Sequence, residues 1–194
     1  MNIIEKKAFF NDYRGNEQYA RVRIADSLFI EINTYDTNNN HTGYMNIYFH
    51  PNKRLYLDTI YCYDQFRGAG IARMISELAD YILKDYFDYV IRGVYEPGQL
   101  STDRKIIIDS DKEKLDFAAR KFYKKTGYQI IELENFLYHK DDYEYIMEED
   151  FNLGEDKTPI IVAKKNCLRN YEFYEENGTI YHINYFKPYS KIYK

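Results

Sequence analysis

Residues 63–72 read Tyr63-Asp64-Gln65-Phe66-Arg67-Gly68-Ala69-Gly70-Ile71-Ala72, and they join an extended run to a helical one. Upstream, Leu55 to Tyr63 (LYLDTIYCY) has the composition of a strand. Downstream, Ile71, Met74, Ile75, Leu78, Ala79 and Ile82 recur at helical spacing, which predicts an amphipathic helix ending near Tyr86. Glycines at 68 and 70 permit dihedrals closed to other residues, and the first amides of a helix lack intrahelical partners. The turn is therefore suited to gripping an anionic group, a diphosphate above all. Two other nucleotide-binding turns are excluded by what is missing. A dinucleotide fold asks for a third glycine where Arg73 stands, and a P-loop asks for Gly-Lys-Ser/Thr.

Working outward, Leu28 to Tyr35 (LFIEINTY) alternates at period two, DTNNNHTG supplies turn chemistry, and Tyr44 to Phe49 is extended again. With Leu55 to Tyr63 these make an antiparallel meander of three strands. Beyond the helix, Tyr89 to Tyr95 is a strand stopped by Pro97-Gly98. Ser110-Asp111-Lys112-Glu113 has the form of a capping box, Leu115, Ala118, Ala119 and Phe122 continue one helical face, and Gly127 suits the residue just past the helix. Tyr128 to Leu133 and Tyr143 to Met147 are expected as the last two strands of a domain spanning 1–150. An acidic, turn-rich break follows, and residues 151–194 are expected to be an extension. In it Asn177-Gly178 signals a β-hairpin between Tyr171 to Glu176 and Thr179 to Phe186. Six aromatics on that hairpin require it to pack on the rest of the chain or on a second copy, so a homodimer is a possible partner state.

The chain has 194 residues, enough for one sizeable core. Its 27 Lys plus Arg against 31 Asp plus Glu leave a net charge of −4, which argues against a nucleic-acid grip spread over the surface. Twenty-three Tyr and 12 Phe are compatible with a packed globule and not with disorder. Two cysteines, Cys62 and Cys167, with no CxxC spacing, and four scattered histidines give no disulfide scaffold and no metal site. Charges at Glu5, Lys6 and Lys7 interrupt any secretory signal, and no run approaches the ~20 apolar residues of a membrane span, so the expectation is a cytoplasmic protein without membrane partners.

The pattern Q/R-x-x-G-x-G/A, matched in full by Gln65-Phe66-Arg67-Gly68-Ala69-Gly70, resembles the GNAT superfamily of acyl-CoA-dependent N-acetyltransferases. A second match is Ala118 to Tyr128 (AARKFYKKTGY), which resembles the family's later helix ending in an aromatic-Tyr pair and a Gly-aromatic step. The likeness runs from roughly residue 20 to residue 148. It implies an α+β fold, a mixed and mostly antiparallel central sheet flanked by helices, here with the C-terminal hairpin added. It also implies acetyl-CoA as co-substrate and a small-molecule or peptide amine as acceptor; the acidic balance fits a cationic small molecule.

The resemblance further implies that backbone amides of Phe66 to Ala72 (Phe66, Arg67, Gly68, Ala69, Gly70, Ile71, Ala72) hold the CoA pyrophosphate, with Gln65 opening the motif. Strand residues Ile60, Tyr61, Cys62 and Tyr63, splayed from the next strand, would offer edge hydrogen bonds to pantetheine. Arg67 and Arg73 are readable either as added positive charge or as ordinary surface arginines. Tyr123 matches the tyrosine that protonates the departing thiolate; a phenol ionises near about 10 and a thiol near about 8.5, so placement matters more than acidity. Asp116, two turns before Tyr123, stands where many relatives have a pantetheine-contacting Asn, and as a carboxylate it can only accept. For the general base, Asp58 resembles the Glu of histone-type relatives, one methylene shorter, with Glu96 as runner-up. Cys62 fits a strand interior better than an acyl-carrying nucleophile. An alternative to the enzyme is a non-catalytic module that senses acyl-CoA or serves as an interaction partner without turnover.

Overall fold

The computed structural model describes residues 3–25, 29–50, 54–94, 121–143, 146, 160–165 and 171–185. The chain divides into two compact units, one formed by Met1–Phe49, Leu57–Asp85 and Leu168–Lys194, the other by His50–Tyr56 and Tyr86–Cys167.

The first unit is built on strands β1 (Ile3–Asn11), β2 (Glu17–Ala25), β3 (Phe29–Asp36), β4 (His41–His50) and, from Leu57 on, β5 (Arg54–Cys62), followed by α1 (Ile71–Leu83); the first three residues of β5 belong to the second unit. The meander of β3, β4 and β5 is as the alternation predicts. Two further strands precede it, and the pairing β1–β2–β3 is antiparallel throughout. The loops β1–β2 and β3–β4 share one device. Asp12 Oδ1 accepts from the amides of Arg14 and Asn16 while Oδ2 accepts from the Asn16 side chain, and Asp36 does the same with Asn38 and Asn40. Burial works to raise the Asp36 carboxyl, but the hydrogen bonds from Asn40 and Asn38 outweigh it and hold it below the usual range.

α1 lays Ile71, Met74, Ile75, Leu78, Ala79 and Leu83 on the sheet, where Ala8, Phe10, Val22, Ile30, Ile32, Met45, Ile47 and Leu57 complete a buried core. Each large aliphatic side chain removed from water contributes about 1.5–3 kcal/mol. Gly43 lets helix and sheet approach. A Cβ there would lie 2.7 Å from the Tyr61 carbonyl oxygen and 3.2 Å from Ile71 Cγ2. The carbonyl is backbone and cannot swing aside, so Gly43→Ala is expected to lower stability by about 1–3 kcal/mol, measured by thermal or urea denaturation.

The residues alternating with this core carry a row of rings. Tyr174, Tyr181, Phe9, Tyr19, Tyr35 and His41 are successive cross-strand partners, with centroids 5.6, 5.7, 6.4, 5.1 and 5.0 Å apart. The tyrosine-rich composition is thus largely cross-strand packing. The row includes the expected C-terminal hairpin, β9 (Phe173–Glu176) and β10 (Thr179–His182), with Asn177 and Gly178 at positive φ. It packs within the chain: β10 runs parallel to β1, and Phe173 lies against Tyr81 of α1.

In the second unit, β6 (Tyr89–Val94) pairs in parallel with the first three residues of β5. It also pairs antiparallel with β8 (Ile160–Lys165), which in turn pairs with β7 (Gln129–Glu132). β8 comes from the stretch read as an extension. Residues 121–125 are helical, and Gly127 at φ 88 ends them: the amide of Tyr128 donates to the Tyr123 carbonyl and that of Gly127 to Lys124. The start of this helix, Ser110 to Glu113, lies outside the described residues.

Of the strand expected over Tyr143 to Met147, only Tyr143 and Ile146 are described, and neither is in a strand; the other three lie outside the described residues. Tyr143 ends a 3-10 turn (Lys140–Tyr143) after a short helix α2 (Leu133–Tyr138), and the Ile146 amide donates to the Tyr143 carbonyl at 2.8 Å. A spacing of three, not two, brings Tyr143 and Ile146 to the same cluster of Ile91, Ile131, Phe136 and Ile161. The sheet class is as expected: mixed and mostly antiparallel, with β1–β10 and β5–β6 the parallel pairs among the described residues. No helix among them is long and apolar enough to cross a membrane.

Candidate active site

The segment from Asp58 to Arg73 lies within the first unit. Asp64–Phe66 form one 3-10 turn, in which the Phe66 amide donates to Tyr63 and the Arg67 amide to Asp64. Ala69 then donates to Phe66, and its methyl is fully buried. Three amides of the expected cradle are therefore used inside the turn. Those of Gly68, Gly70, Ile71, Ala72 and Arg73 have no acceptor among the described residues, and no side chain caps α1. Gly68 and Gly70 both adopt left-handed φ, 75° and 80°, which bends successive N–H groups into one concavity at the positive end of the helix dipole.

The β1–β2 loop is fastened to this turn, a contact the sequence reading lacks. Tyr13 donates its amide to the Ala69 carbonyl at 2.9 Å, and its ring covers Gly70. Arg73 lies over the same ring, 5.9 Å from its centroid, while its Nε donates to Glu77. That hydrogen bond with Glu77 pushes the Arg73 pKa up. The Asp-x-x-x-Asn spacing at 12–16, repeated at 36–40, signals an ordered loop but not its target.

On β5, regular burial alternation is lost after Leu57, and residues Thr59 to Tyr63 are all half-buried. The parallel pairing with β6 covers Arg54 to Tyr56, so Ile60, Tyr61, Cys62 and Tyr63 lie beyond it. Asp58 is exposed and accepts from Thr59 Oγ1 at 2.9 Å. Tyr44, Tyr61 and Tyr63 cluster near it, and Tyr63 Oη lies 3.2 Å from His41 Nδ1. Burial raises the Tyr44 phenol pKa, helped by Tyr63, Tyr61 and Asp58. Burial likewise pushes the Cys62 thiol up, only partly countered by Arg67, so the thiol stays protonated near neutral pH.

Tyr123 is buried in the second unit, edge-on to Phe122 and Tyr128 with both centroids 5.3 Å away. Glu96 and Asp116 lie outside the described residues. Among those described, Glu77, Glu172 and His182 bring possible ligand atoms within 4.8 Å of one another. His182 Nδ1 accepts from the Asn184 amide, so Nε2 carries the proton that points at Glu172, 3.2 Å away. In that arrangement the ring offers no lone pair to a cation.

No protein-family model matches the chain, and no curated protein matches its sequence. Solved structures do. A GNAT-family acetyltransferase from Staphylococcus aureus Mu50 superimposes with a TM-score of 0.51 at 13% identity, covering 73% of this chain and 71% of that one. A nourseothricin acetyltransferase gives 0.48 at 13% identity, covering 85% and 88%. An acyl-CoA N-acyltransferase from Klebsiella pneumoniae, so described as a candidate, gives 0.48 at 12%, covering 74% and 77%. At 13% identity the likeness to the Staphylococcus aureus structure is one of architecture, and it agrees with the strand, glycine turn and helix described above: the chain has the fold of the GNAT acetyltransferases.

Proposed function

We propose that the chain is an N-acetyltransferase that moves the acetyl group of acetyl-CoA to a primary amine by direct attack. The observation that carries this reading is the set of five amides, at Gly68 and Gly70 to Arg73, that have no acceptor among the described residues and lie at a helix start shaped by two left-handed glycines. Such a concavity fits a diphosphate, and the fold supports acyl transfer in general. Ile60 to Tyr63 would give main-chain hydrogen bonds to the pantetheine amides, aligning the thioester along β5. Asp58 takes one proton from the attacking ammonium, directly or through water. As the new C–N bond forms and the C–S bond breaks, the attacking nitrogen sheds its second proton to water and Tyr123 gives one to the departing sulfur, its phenolate then regaining a proton from water, so that ammonium and thioester end as amide, thiol and one released proton. Glu96 is the runner-up base, and Asp116 stands as a pantetheine contact through its carboxylate.

The test is release of free CoA thiol from acetyl-CoA across a panel of primary amines, polyamines and aminoglycosides included. Turnover on at least one acceptor is expected. Tight CoA binding without turnover on any of them would leave the binding module as the better reading, and no CoA binding at all would overturn both.

A further inference from the structure

Of the two arginines that the sequence places at the glycine turn, each has a carboxylate of its own. Arg67 Nη2 lies 2.8 Å from Asp64 Oδ1, and Arg73 Nε lies 2.7 Å from Glu77 Oε1. A third arginine reaches the turn from the β1–β2 loop. Arg14 Nη2 donates to the Arg67 carbonyl at 3.0 Å and stands 3.9 Å from the point a Cβ on Gly68 would occupy. That bond uses one of its five N–H groups, and no acidic side chain among the described residues pairs with it. The nearest loop carboxylate, Asp12, is committed to the amides of Arg14 and Asn16 and to the Asn16 side chain.

The position of Arg14 is fixed from both sides. Its amide is held by Asp12, Gly15 follows it at φ 82, and the Tyr13 amide anchors the loop to Ala69. The guanidinium itself is exposed and bonded once, to the Arg67 carbonyl, which leaves its other N–H groups next to Gly68 and open to a ligand.

We propose that Arg14 is the phosphate-reading cation of this turn, selecting thioesters that carry a diphosphate over those that do not. This rests on the reading of the turn as an acyl-CoA site. Arg67 and Arg73, already paired, contribute little net charge, whereas Arg14 adds a charge-assisted hydrogen bond to an oxygen seated on Gly68 and the α1 amides.

The experiment is calorimetric titration of the full chain with CoA, for wild type, Arg14→Gln and Arg14→Lys, at low and high salt. Gln and Lys both lack the guanidinium that donates through Nη2 to the Arg67 carbonyl, and they differ from one another chiefly in charge. Arg14→Gln is expected to raise the CoA Kd about tenfold or more and to flatten its salt dependence, with Arg14→Lys recovering most of both. Equal Kd and equal salt dependence in the two variants would overturn the proposal. Absence of CoA binding by the wild type would instead overturn the reading of the turn on which it rests. Melting temperatures without ligand show whether either variant has lost its fold, and the Lys–Gln comparison stands at matched stability.

Discussion

Gly70→Ala is expected to abolish the rise in melting temperature that acetyl-CoA gives the wild-type chain. Two costs coincide at this position. A left-handed φ of 80° penalises any residue with a Cβ by about 1–2 kcal/mol, and the added methyl would stand 2.8 Å from three atoms of the Tyr13 ring. Relief requires the ring to leave, which removes the cover over the turn and the packing of Arg73, or the Tyr13 main chain to shift, which strains its bond to the Ala69 carbonyl. The five amides of the turn then lose their common aim. Ligand stabilisation follows mass action, about 2.7 kcal/mol at a concentration of one hundred Kd, so even a modest loss of affinity is visible. Gly68→Ala provides the contrast. Its φ is also left-handed, yet the nearest atom to a new Cβ is Arg14 Nη2 at 3.9 Å, so it should keep part of the shift. An undiminished shift in Gly70→Ala would mean that the phosphates are held elsewhere.

Tyr123→Phe should lower kcat by about 10² or more with little change in CoA affinity, the scale of a lost general acid. The ring would keep its edge contacts with Phe122 and Tyr128, and the helix end is closed by main-chain bonds that do not involve the hydroxyl. Folding stability should therefore fall by no more than about one hydrogen bond, roughly 1 kcal/mol. Loss of the alkaline limb of the pH–rate profile would tie that limb to the phenol. Asp58→Asn should instead lower the plateau rate and remove the acidic limb, since that limb belongs to the base. Near-normal kcat with an intact profile would make Tyr123 a packing residue.

What the sequence reveals and what it hides divide along physical lines. Local periodicity reports the β3–β5 meander and α1, because each element shows one face to a core and one to solvent. β8 defeats that rule. Ile161, Val162, Ala163 and Lys164 are all buried, since the strand lies between β6 and β7, and no alternation marks it. β1 and β2 do alternate at Ala8, Phe10, Ala20 and Val22 and were open to the same reading. The turn itself is legible because glycine spacing encodes backbone geometry. Its clamp is not: Tyr13 and Arg14 meet residues more than fifty positions away, and no local pattern records a contact of that range.

The parallel pairing of β1 with β10 has a consequence for synthesis. Lys7 to Phe9 on one strand meet Thr179 to Tyr181 on the other, about 170 residues later. At 5–20 residues per second, a ribosome takes roughly 10–30 s to cover that distance. During the interval β2 can cover one edge of β1, while the other edge stays open in every nascent chain. Glu5, Lys6 and Lys7 lie on that edge strand, and their charges disfavour pairing between neighbouring chains on a polysome until the hairpin arrives.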